Sequence, residues 1–119
     1  NELWRATLDV LDFVPLNSAD YGGGIVITDW YNNSENSNTS IKIMVQFLSN
    51  EIRADGLKVL VYNKDCKTAD QMGNCKTNTS NGAVANEIKI AILKKAAILK
   101  NNKKEKEVKE YRKKRGITN

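Results

Sequence analysis

Apolar residues recur along this chain with two different periods. In ELWRATLDVLDF, residues 2–13, Trp4, Leu8 and Leu11 fall at helical spacing with Leu3 and Val10 beside them, while Arg5, Asp9 and Asp12 take other sides. The stretch predicts an amphipathic helix, capped by Asn1 and stopped by Pro15. GIVITDWY, residues 24–31, is rich in β-branched and aromatic residues and predicts a first strand, and the polar NNSENSNTS after it predicts a loop. SIKIMVQFLS then places Ile41, Ile43, Val45 and Phe47 on one side of a second strand, with Lys42 and Gln46 opposite. EIRADG forms a turn, and LKVLVYNK alternates Leu57, Val59 and Val61 against Lys58, Leu60 and Tyr62 as a third, antiparallel strand.

From Asp65 to Gly82 the chain is polar, a long loop with room for a short edge strand near Cys75 to Asn78. NEIKIAIL, taken alone, alternates like a strand. Over residues 83–100, however, Val84, Ile88, Ala91, Ile92, Ile98 and Leu99 share one side of a helical wheel and the alanines favour helix. A second helix is therefore predicted, with Lys95 inside its apolar arc and Ile90 and Leu93 outside. The expected fold is α+β: helix, three- to four-stranded antiparallel sheet, helix, both helices on one sheet face so that every apolar side is buried. Residues 1–100 make one domain, and 101–119 a basic tail, a frayed helix or a disordered segment.

With 119 residues and 40% hydrophobic content, the chain has room for one core. Its longest apolar run is broken by Lys89, Lys94 and Lys95, short of the roughly 18 to 20 apolar residues of a membrane span, so a soluble domain is expected. The chain opens at Asn1 inside a predicted helix, which points to an upstream segment that would carry any signal or lipid anchor.

Histidine is absent, which removes the usual general base, His-containing triads and dyads, and most catalytic zinc sites. No cofactor, metal site or catalytic residue is expected. Cys66 and Cys75 are too far apart for a CxxC pair; they close a small loop as a disulfide or stay as two thiols. Gly22, Gly23 and Gly24 precede a strand, whereas a phosphate loop precedes a helix whose N-terminus faces the anion. They read as a hinge from the first helix into a strand. Asp20, Asp29 and Asp55 are the candidate acids of a carboxylate-based hydrolase, but each sits where Asp ordinarily occurs, in a turn or at a strand end. Asn32, Asn38 and Asn78 match the glycosylation pattern, which an asparagine-rich chain produces by chance.

Charge is uneven. Residues 94–115 hold eleven Lys or Arg against three Glu, so the basic tail contrasts with a mildly acidic body. Lys103, Lys104, Arg112, Lys113, Lys114 and Arg115 are the tail's candidate contacts to an acidic membrane surface or a protein. Nucleic acid is the weaker alternative, because only Tyr111 interrupts the run as an aromatic and glutamates dilute it.

The sheet's second face is the remaining candidate site. If Ile25 and Ile27 join Ile43, Val45, Phe47, Val59 and Val61 against the helices, the other face shows Val26, Thr28, Trp30, Met44, Leu48, Leu60 and Tyr62. That is more apolar than a face meeting only water, and Trp30, Met44, Leu60 and Tyr62 are the candidate partner-facing patch. The alternative reverses the first strand and buries Trp30, since IVIT is apolar on both sides. A groove lined by Trp4, Leu8, Phe47 and Ile92 is where a small ligand or lipid would bind.

LWRATLDVLDFVPLNSADYGGGIVITDWY, IRADGLKVLVY and, more loosely, NEIKIAILKKAAILK resemble a family of alphaproteobacterial envelope proteins defined as a domain of unknown function, over roughly residues 3–100. The resemblance implies a lipoprotein-type signal upstream, a lipid-anchored place on the periplasmic side of the envelope, and no established activity. The helix, glycine turn and GGIVITDWY strand also resemble, over a short stretch, the repeated helix-grip domain of the C lipoprotein of the outer-membrane β-barrel assembly machine. Together these readings give a non-catalytic binding or scaffolding module with an envelope protein as partner.

Overall fold

A computed structural model describes residues 1–32, 38–67, 74–80 and 82–117. Most of the asparagine-rich loop at 33–37, the centre of the cysteine loop at 68–73, and residues 81, 118 and 119 lie outside the described set.

Helix α1, Glu2–Val10, opens as the sequence predicts, with the Asn1 side chain accepting a hydrogen bond from the Leu3 amide at 2.8 Å. Its Leu3, Ala6 and Thr7 are fully buried, and the Thr7 hydroxyl satisfies itself on the Leu3 carbonyl one turn back. Five strands follow: β1 Leu16–Asp20, β2 Ile25–Thr28, β3 Thr39–Phe47, β4 Leu57–Cys66 and β5 Cys75–Thr79. They form one antiparallel sheet in sequential order, each paired with its chain neighbour. Helix α2, Gly82–Lys114, closes the fold. Ile92 and Ala96 of α2 and Leu3, Ala6 and Leu11 of the N-terminal segment share one core with Val26, Ile43, Val45, Val59 and Val61. Both helices therefore lie on one face of an α+β sheet.

The sheet has one strand more than the three or four expected. The extra strand, β1, was hidden because LNSAD is exposed at every position and carries no alternation. It also changes the role of the glycines. Gly22–Gly24 do not lead from the helix into a strand; they turn the β1–β2 hairpin. Gly24 adopts φ +67°, and a Cβ there would sit 3.3 Å from the Phe47 carbonyl oxygen, so both conformation and space favour glycine. The Asp20 carboxylate steadies the turn by accepting the Gly23 amide at 3.0 Å.

A one-residue slip corrects both readings of the β2 faces. Val26 pairs with Val45 and Ile27 with Met44, so Val26 and Thr28 point into the core and Ile25 and Ile27 point away. Beyond Thr28 the ladder pauses: the buried Thr28 hydroxyl accepts the Ile43 amide and donates to the Asp29 carbonyl, both at 2.9 Å. Pairing resumes at Tyr31 with Ile41, one residue out of the earlier register. The extra residue reverses side-chain parity. β2 is thus turned over relative to the first expectation, yet Trp30 still escapes the core.

In α2, Ala85, Ile88, Ile92, Ala96 and Leu99 make the inward stripe. Leu93, expected outside the apolar arc, is half-buried against the core, while Ile90 is exposed. Lys95 lies within the arc and reaches Asp9 of α1 at 3.9 Å, and Lys89 donates to the Ala54 carbonyl at 2.9 Å. Both lysines extend their stems along the apolar seam and keep their ammonium groups at its rim.

Candidate functional site

The outward face of β3 and β4 follows from register. Across it Ile27, Met44 and Leu60 form one row, and Lys42, Tyr62 and Thr79 the next. Ile25, Gln46 and Lys58 form a third, and Ser40, Lys64 and Thr77 a fourth. Trp30, placed outward by the slip, lies over this surface with Lys64 Nζ 4.7 Å and Lys42 Nζ 5.1 Å from its ring centroid. Two ammonium groups on one indole hold the ring by cation–π attraction and make its surroundings positive. No Asp or Glu occupies an outward position on β3 or β4.

Trp30, Met44, Leu60 and Tyr62 are thus brought onto one surface, all half-buried, and Ile27 belongs beside them. Neither helix covers it. Leu48 lies beyond the end of β3 and is exposed. The three lysines at 42, 58 and 64 were legible from the strand alternation that gives Met44 and Leu60; the approach of Lys42 and Lys64 to Trp30 was not, because it depends on the slip. At the far corner Cys66 and Cys75 face each other across β4 and β5 and are joined as a disulfide, which ties the last strand to the sheet.

The other candidate residues are held apart by local partners. Asp20 serves the glycine turn, Asp29 accepts the Asn17 side-chain amide at 2.9 Å, and Asp55 is paired with Arg53 at 2.8 Å. Asp55 and then Glu51 hold the exposed Arg53 guanidinium above its ordinary pKa. Of the residues expected around a ligand groove, Ile92 is fully buried, and Trp4, Leu8 and Phe47 pack against the core. The Trp4 ring meets Phe47 at 5.8 Å and Tyr21 at 5.1 Å between centroids. Trp4 and Phe47 also border an open cleft at the end of the seam, shared with Tyr21, the Gly22–Gly24 turn and Asn50; Leu8 and Ile92 are not among its lining residues. Among the described residues, no helix is long and apolar enough to cross a membrane.

Lys103, Lys104, Arg112, Lys113 and Lys114 lie on α2 as exposed helix, and Arg115 follows as its C-cap. The helix stop is written in the sequence as Gly116-Ile117. Gly116 at φ +70° lets its amide reach the Lys113 carbonyl at 3.2 Å and the Ile117 amide reach the Arg112 carbonyl at 2.8 Å, the paired bonds of a Schellman cap.

Comparison with known sequences places residues 1–101 within the family described as Domain of unknown function (DUF3576). Over 88 residues the chain is 37% identical to uncharacterized protein RP420 of Rickettsia prowazekii (strain Madrid E), covering 74% of this chain and 52% of that protein. The chain spans about half the length of the curated relative it matches. No solved structure matches it. The chain belongs to this domain-of-unknown-function family, which reaches an alphaproteobacterium and stops short of the distal half of α2.

Proposed function

We propose that this family member is a non-catalytic interaction module of the bacterial cell envelope that docks a protein partner on the outward face of its sheet. The observation that carries the reading is the grouping of Trp30, Met44, Leu60 and Tyr62 on a face that neither helix covers, ringed by Lys42, Lys58 and Lys64. An apolar patch with one sign of charge around it suits a partner that offers an apolar ridge flanked by Asp or Glu. Placement on the periplasmic side, with a lipid anchor upstream, rests on the resemblance of roughly residues 3–100 to a family of envelope proteins.

The test is co-purification of the tagged full-length protein from detergent-solubilised envelope, beside Trp30→Ala. A stoichiometric partner should be captured by the parent, and its affinity should fall by roughly thirtyfold in the variant, the scale of a central aromatic anchor. The variant should keep its melting temperature, because Trp30 lies outside the core cluster. Equal capture by both proteins would remove the sheet face as the docking surface.

A further inference from the structure

The inward stripe of α2 changes character at Leu99. Ile88, Ile92, Ala96 and Leu99 are buried or half-buried; the next positions on the same face are Lys103, Lys106 and Glu110, all exposed. The helix nevertheless continues to Lys114, giving the molecule extents of 68 × 27 × 25 Å. Every residue from Lys100 to Ile117 is exposed, with only the Glu2 carboxylate of α1 among the described residues seen to feel Lys100 and Lys103, and nine Lys or Arg against three Glu occupy residues 100–115.

Its tip is not merely basic. The Schellman cap folds Ile117 back along the last turns, beside Val108 and Tyr111, and these three apolar side chains remain 47%, 46% and 57% exposed. Arg115 lies 5.3 Å from the Tyr111 ring. The contact of Ile117 with Tyr111 belongs to the cap, which ordinarily packs its last residue on the preceding turn. Val108, a turn further in, plays no part in the cap, all three side chains stay open to solvent, and a nucleic-acid backbone would be held by the lysines without them. A bilayer interface takes both: short apolar and tyrosyl groups enter the headgroup region, and the surrounding ammonium and guanidinium groups reach anionic lipid.

We propose that the distal part of α2 binds the surface of an anionic lipid bilayer, with Val108, Tyr111 and Ile117 entering the interface and Lys104, Arg112 and Arg115 meeting the headgroups. The contact is peripheral, because the segment is far too polar to span. It is independent of the sheet face, which points to a protein partner and lies outside α2.

Co-sedimentation of the full chain with phosphatidylcholine vesicles, with and without phosphatidylglycerol, tests this. Binding should require phosphatidylglycerol, weaken with salt, and fall about fivefold for each basic residue removed from this face, as in Lys104→Gln. A Val108→Ser, Tyr111→Ser, Ile117→Ser variant keeps every charge, and circular dichroism checks that it stays helical. It should lose at least tenfold in vesicle binding. Equal sedimentation of this variant and the parent, or no binding to the anionic vesicles, would overturn the proposal. So would tighter binding to duplex DNA than to those vesicles, unchanged in the serine variant.

Discussion

The two halves of α2 are one continuous helix built by opposite means. From Gly82 to Leu99 the helix exists because it buries Ile92 and Ala96 completely against the sheet and α1; its own sequence, NEIKIAIL, alternates well enough to have made a strand. From Lys100 onward no burial supports it. Lysine, glutamate and arginine are good helix formers, Glu105 precedes Lys109 and Glu110 precedes Lys114 by the favourable four residues, and the Gly116 cap closes the last turn. Tertiary contact selects the first half, local preference the second. The difference means that a substitution at the same helical phase should have unequal consequences in the two halves.

The largest effect is expected at Ile92. Ile92→Ala opens a cavity where α2 meets the sheet and should cost about 2 to 5 kcal/mol in denaturant unfolding. Lys103→Ala, near the same face but exposed and meeting the body only through its charge on Glu2, should change stability by less than about 0.5 kcal/mol. If Lys103→Ala destabilised as much as Ile92→Ala, the extension would be packed on something and the contrast would fail. Next comes the disulfide: replacing Cys66 and Cys75 together by Ser releases a short loop and should lower stability by about 2 to 3 kcal/mol on chain-entropy grounds. That loss belongs to the body, and the helical signal of the extension should survive it below the melting transition. The smallest effect sharpens the contrast from the other side. Gly116→Ala forces a Cβ into a left-handed conformation at a local cost of about 1 kcal/mol. Amide exchange should quicken at Ile117 and through the last turn, while the global unfolding midpoint stays in place.

The same division explains what could be read before the structure. Elements whose apolar residues follow one period were legible: α1 from Trp4, Leu8 and Leu11, and β3 and β4 from their alternation; β5, with no such face, was expected only as a short strand that the polar loop near Cys75 had room for. β1 was not, because LNSAD has no apolar face and is held by pairing with β2 alone. The orientation of β2 was not, because IVIT fits either way, and a bulge near Thr28 decides independently where Trp30 goes. Of the candidate surface, Met44, Leu60 and Tyr62 followed from strand parity, whereas the seating of Trp30 between Lys42 and Lys64 is a cross-strand event that no local pattern encodes. The ordered extension was available in principle: a basic last turn followed by Gly-Ile is a helix-stop signal.

No glycine or proline interrupts α2 between Ala83 and Lys114. At about 1.5 Å of rise per residue the tip stands roughly 25 Å beyond Leu99. Such a rod is a strut with one end clamped in the core by Ile92 and Ala96. Any hold on the tip fixes not only where the body sits but which way it tilts, so the strut sets the height and heading at which the sheet surface meets its surroundings.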